Sequence, residues 1–110
     1  MTNTNTTKRK TIQDYAREYA RDIYNKIDND FNEFLDGILD LDYVVNGRDK
    51  HFAGVKIYIA LGGPTAYLRY IDTRNGFLYV GHGNESATVD IFSEYLDMID
   101  DVFRGMYENE

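Results

Sequence analysis

From Ile12 onward, apolar residues recur at intervals of three and four: Ile12, Tyr15, Ala16, Tyr19, Ala20, Ile23, Ile27, Phe31, Phe34, Leu35 and Ile38. This is the period of an amphipathic helix. It predicts one long helix over about 12–38, ending near Gly37. Thr11 stands where an N-cap belongs, with Asp14 three residues on. The outward positions collect Glu18, Asp22, Asn29, Glu33, Asp36 and Asp40.

The period then shortens to two. "DYVV" (42–45) is a short strand candidate, and the polar "NGRDKHFAG" after it reads as a loop or hairpin turn. "VKIYIAL" alternates Val55, Ile57, Ile59 and Leu61 against Lys56, Tyr58 and Ala60, the pattern of a half-buried strand. "TAYLRYI" puts Leu68 and Tyr70 on one side and Tyr67, Arg69 and Ile71 on the other. "DTRNG" is a turn, "FLYVG" a further strand, and "SATV" a short one. A second helical pattern closes the chain, with Asp90 as its expected cap. Its buried stripe is Phe92, Tyr95, Leu96, Ile99, Val102, Phe103 and Met106. The expected fold is therefore α+β: a long N-terminal helix, a three- to four-stranded antiparallel sheet and a C-terminal helix. Both helices are expected to cover one sheet face, leaving the other wet.

Composition adds limits. A chain of 110 residues, 43% hydrophobic, makes one domain with a core. We read 1–10 as a disordered tail and 11–110 as a single α+β domain. The start has no apolar stretch of the kind a signal peptide needs, and no run is long enough to span a membrane. With no Cys, disulfides and thiolate metal sites are excluded. Ten Tyr against six Phe means that many aromatics carry a polar tip, which suits half-buried positions and binding surfaces.

The net charge of −7 is unevenly placed. Residues 27–47 carry six acids and no base, and 85–110 carry eight acids against Arg104 alone. This balance disfavours direct nucleic-acid binding through phosphates and docking on an anionic membrane. At about 100° per residue, Asp90, Glu94, Asp97, Asp101 and Glu108 would share one helical face. Glu33, Asp36 and Asp40 would share another. Such faces either solvate the protein or imitate a row of phosphates. Carboxylates one helical turn apart repeat every ~5.4 Å, close enough to occupy a basic groove.

Other chemistry has less support. "LGGPT" lacks the Lys and the following helix of a phosphate loop, so it reads as a turn. His82 in "GHGNES" has neither a nucleophile elbow nor an orienting partner in sequence reach. His51 and His82 show no ligand spacing for a metal. No catalytic residue, cofactor or metal is expected. Tyr58, Tyr67, Tyr70 and Tyr79 fall on neighbouring strand candidates, where they either pack across strands or form an aromatic patch for a protein partner, with Arg69 and Arg74 at its edge.

The segment "VKIYIALGGPTAYLRYIDTRNGFLYVGHG", followed by the acidic helix "DIFSEYLDMIDDVFRGMYE", resembles a group of small acidic proteins of phages and mobile elements. The shared pattern is an apolar strand (55–61), Gly-Gly-Pro (62–64), a strand ending near Asp-Thr (67–73) and a turn glycine, Gly76. The layout is similar to small anti-CRISPR proteins that block type II RNA-guided nucleases. The resemblance covers about half the chain, and "GHG" departs from the aromatic-rich stretch expected there. It implies a non-enzymatic inhibitor acting in the cytoplasm of a bacterial host. Its partner would be a basic nucleic-acid-binding protein, an RNA-guided nuclease or a restriction enzyme. The contact residues expected are Glu33, Asp36, Asp40, Asp90, Glu94, Asp97 and Asp101, with Tyr67 and Arg69. The alternative is a protein-interaction module that uses the tyrosine face.

Overall fold

The computed structural model describes residues 10–109. Apart from Lys10, the tail assigned to 1–10 lies outside the described residues. The chain runs α1 (Ile12–Asn29), α2 (Phe31–Asp36), β1 (Asp40–Val45), β2 (Phe52–Ala60), β3 (Thr65–Tyr70), β4 (Gly76–His82), β5 (Glu85–Ile91) and α3 (Ser93–Glu108). The strands form one antiparallel meander in sequence order. The α+β expectation holds, with five strands in place of three to four. "DYVV" and "SATV" lie within full strands of six and seven residues.

Thr11 opens α1 with a capping box, its hydroxyl accepting from the Asp14 N–H while the Asp14 carboxylate accepts from the Thr11 N–H. The expected single helix breaks at Asp30, where the backbone is extended (φ −168°, ψ 117°). The Asp30 N–H donates to the Lys26 carbonyl and its carboxylate accepts from Asn32 N–H, so one residue ends α1 and begins α2. The apolar period runs on across this break because Phe34 still reaches the core, and so the pattern alone hid it.

Strand alternation works as read. Val55 and Ile57, Ala66, Leu68 and Tyr70, Leu78 and Val80, and Ile91 turn inward. Ala16, Ala20, Ile23 and Ile27 of α1, and Leu96, Ile99 and Phe103 of α3, pack on them. Both helices lie on this face, tied to each other where the Tyr95 hydroxyl donates to the Asp28 carboxylate at 2.9 Å. A bulge between Tyr58 and Ala60 turns Ala60 toward the core and throws Leu61 outward, 56% exposed, against expectation.

At α3 the expected cap fails. Asp90 is a β5 residue, and the N-cap position belongs to Phe92, which offers no capping side chain. Phe92 is 60% exposed instead of buried and stacks on Tyr24 at 5.2 Å. Met106, also assigned to the stripe, is exposed. Among the described residues, no helix is long and apolar enough to cross a membrane.

Candidate binding face

The face of the sheet away from the helices is open. Strand register places its residues in rows across the strands. One row reads Asp40, Tyr58, Tyr67, Tyr79, Thr88, and the next reads Asp42, Lys56, Arg69, Phe77, Asp90. The three tyrosines form a ladder. Tyr58 and Tyr67 lie 5.6 Å apart between ring centroids, and Tyr67 and Tyr79 4.8 Å apart with planes 22° apart. Neighbouring strands are about 4.8 Å apart, so the Tyr67 and Tyr79 rings stack at about the strand spacing. Neither the Tyr67 nor the Tyr79 hydroxyl has a hydrogen-bond partner among the described residues. Tyr79 leans along its strand across Gly81: a Cβ there would fall on the Tyr79 hydroxyl and lie 2.9 Å from two ring carbons. The Tyr-x-Gly spacing on one strand face was the available signal for this.

Lys56 sits above the ladder, its Nζ 4.3 Å from the Tyr67 centroid and 5.0 Å from that of Tyr58. Hydrogen bonding to Tyr58 raises the Lys56 pKa, while the neighbouring Arg69 charge works against it. Arg69, directly opposite Lys56, is exposed and makes no ion pair among the described residues. Like charges directly opposite on a sheet are destabilising. Sequence reading missed Lys56 as a site residue, because only the register sets it beside Arg69.

The expected contact residues divide between two opposite sides of the molecule. Tyr67, Arg69, Asp40 and Asp90 converge on the open face. Neither Asp40 nor Asp90 belongs to a helical acidic face, since each is in a strand. Glu94, Asp97 and Asp101, joined by Glu108, line the solvent side of α3, opposite buried Leu96, Ile99 and Phe103. None of these four is in an ion pair among the described residues. Glu33 and Asp36 stand apart on the short α2, where Glu33 accepts from the Asn29 amide.

Tyr70, grouped with the exposed tyrosines by sequence, points the other way. It is 1% exposed, and its hydroxyl donates to Asp100 at 2.8 Å. Burial first, then this hydrogen bond, raises its pKa above that of a free tyrosine. Arg104 Nε donates to the same carboxylate at 3.2 Å.

Elsewhere, Gly62–Pro64 forms the β2–β3 turn, with Gly62 at φ 106° and a cis Gly63–Pro64 bond. Beside it lies a cleft of about 270 Å³ lined by Ile12, Tyr15, Pro64, His82 and Glu85 among others. His82 ends β4 at a two-residue turn that starts with Gly83 (φ 64°), and His51 lies 3.4 Å from Asp49. Among the described residues, no three His, Asp or Glu side chains stand where they could share a metal.

Compared with protein-family models, with curated proteins and with solved structures, the chain matches none.

Proposed function

We propose that the protein works by binding another protein, without catalysis, and that the open sheet face is the contact surface. The observation that carries this reading is the Tyr58–Tyr67–Tyr79 ladder, with two hydroxyls and an arginine beside it that have no polar partner among the described residues. Buried aromatics and arginine dominate the energetics of protein interfaces. Tyrosine brings large contact area at low entropic cost, because it has only two side-chain torsions. The sheet below is backed by the core and holds the rings in register, so little ordering is left to the moment of binding.

A second reading rests on the α3 stripe. Its four carboxylates, in no ion pair among the described residues, would enter the basic groove of a nucleic-acid-binding protein, such as an RNA-guided nuclease or a restriction enzyme, and inhibit it inside a bacterial host. Nucleases of this kind hold nucleic acid in positive channels. The two surfaces face opposite ways, so the readings separate cleanly.

The test is capture of partners from bacterial lysate at low and high salt. Two variants are compared with the parent: Tyr67→Ala/Tyr79→Ala, and Glu94→Lys/Asp97→Lys/Asp101→Lys. Capture lost only in the tyrosine variant, and persisting at high salt, supports the sheet face. Salt-sensitive capture of a nucleic-acid enzyme, lost only in the α3 variant, supports the second reading, because screening weakens exposed charge contacts. Unchanged capture by both variants, with folding intact, contradicts both.

A further inference from the structure

The charge pattern of the open face limits what can sit on it. In a chain of net charge −7, two cations stand side by side at its centre, Lys56 and Arg69. They do not pair with the acids of their own row. Lys56 faces Asp42 across the β1–β2 ladder, yet its ammonium lies over the tyrosine rings. Arg69 is held between Lys56 and Phe77 and makes no ion pair among the described residues. Asp40 and Asp42 bound the face on β1, and Asp90 bounds it on β5. From β1 to β5 is four strand spacings, roughly 19 Å. The row therefore reads negative, positive, positive, neutral, negative.

We propose that the occupant is a segment of a partner protein anchored by a carboxylate side chain. The carboxylate seats between Lys56 and Arg69, within reach of the Tyr67 hydroxyl. Basic residues on either side of it meet Asp42 and Asp90. This assignment rests on the sheet face being the contact surface, and adds the chemistry of what it contacts.

Two other occupants fit worse. A single-stranded nucleic acid would carry its phosphates across the rows onto Asp40, Asp42 and Asp90. A second copy, stacked face to face about a twofold axis that runs along the central strand β3 for full overlap of the two sheets, would set Arg69 against Arg69 and Asp42 against Asp90. A carboxylate flanked by bases satisfies every charge in the row. Complementarity of this kind also excludes wrong partners, since like-charge juxtapositions are costly.

The experiment selects a display library of random linear peptides against the full-length protein. Enriched peptides are then measured on Lys56→Gln, Arg69→Gln, Asp42→Asn/Asp90→Asn and Tyr67→Ala variants, each first shown to unfold cooperatively. A labelled oligodeoxythymidine is titrated in parallel. The expected result is enrichment of Asp or Glu with Lys or Arg on both sides. Affinity should fall at least tenfold in Lys56→Gln and in Arg69→Gln, and the preference for flanking bases should vanish in Asp42→Asn/Asp90→Asn. Peptides that depend on Tyr67 but not on either cation would overturn the carboxylate anchor and leave the sheet-face reading standing. Binders that depend on none of these residues, or no binders at all, would overturn both. Oligonucleotide binding lost in Arg69→Gln would overturn the protein occupant in favour of nucleic acid.

Discussion

Tyr67 and Tyr70 are three residues apart on one strand, and their roles separate because β residues alternate faces. Tyr67 is half-buried on the open face, and its hydroxyl has no hydrogen-bond partner among the described residues. Tyr70 is buried and donates to Asp100, which Arg104 also holds. Tyr70→Phe should cost about 1.5–3 kcal/mol, as for a hydrogen bond to a charged group, measured by chemical denaturation. The pH dependence has a definite sign. Burial and Asp100 raise the folded-state pKa of Tyr70, so above the unfolded value near 10 the unfolded chain loses its proton first. Stability is intact below about pH 10 and falls as pH rises further. Tyr70→Phe should flatten that alkaline decline, and an unchanged slope would mean the hydroxyl is not protected. Neither histidine enters this network, and His51→Ala/His82→Ala should leave partner capture unchanged. The facing of Tyr70 was legible from alternation with Leu68. Its partner was not, because Asp100 lies thirty residues away on another element.

At the scale of elements, helices and strands were legible wherever one period held over several residues. The failures came where a single residue changed direction. Asp30 splits the predicted helix because one side chain caps α2 while its N–H closes α1. Asp30→Ala should cost about 0.5–2 kcal/mol, and amide exchange should rise mainly in α2. The bulge at Tyr58–Ala60 reversed the facing of Leu61, and no composition signal marks it. Close contact between layers was equally hidden. A Cβ on Gly76 would collide with the Leu96 side chain, which is fully buried and has nowhere to move. Gly76→Ala should destabilise by about 1–3 kcal/mol through overpacking, read as a lower midpoint in urea. A neutral outcome would show that α3 packs more loosely over β4. On the site, sequence supplied Tyr58, Tyr67, Tyr79 and Arg69. Lys56 joined them only through register, and Asp40 and Asp90 reached the same face by being in strands instead of helices.

At the scale of the whole molecule, two layers give two unlike surfaces. The helix layer shows the α3 carboxylates to solvent, and the sheet layer shows the tyrosine ladder. Their shared core includes Ile99, fully buried, and Ile99→Ala should cost about 2–5 kcal/mol by leaving a cavity. This makes it a control for loss of binding caused by unfolding alone. If a protein partner covers the sheet layer, hydroxyl-radical footprinting of the free protein and of its complex with a captured partner will register it. Tyr58, Tyr67 and Tyr79 should become protected while Phe92, Met98 and Met106, exposed around the α3 side, stay as reactive as before. Protection of the α3 residues with the tyrosine ladder still fully labelled would rule out the sheet layer as the contact.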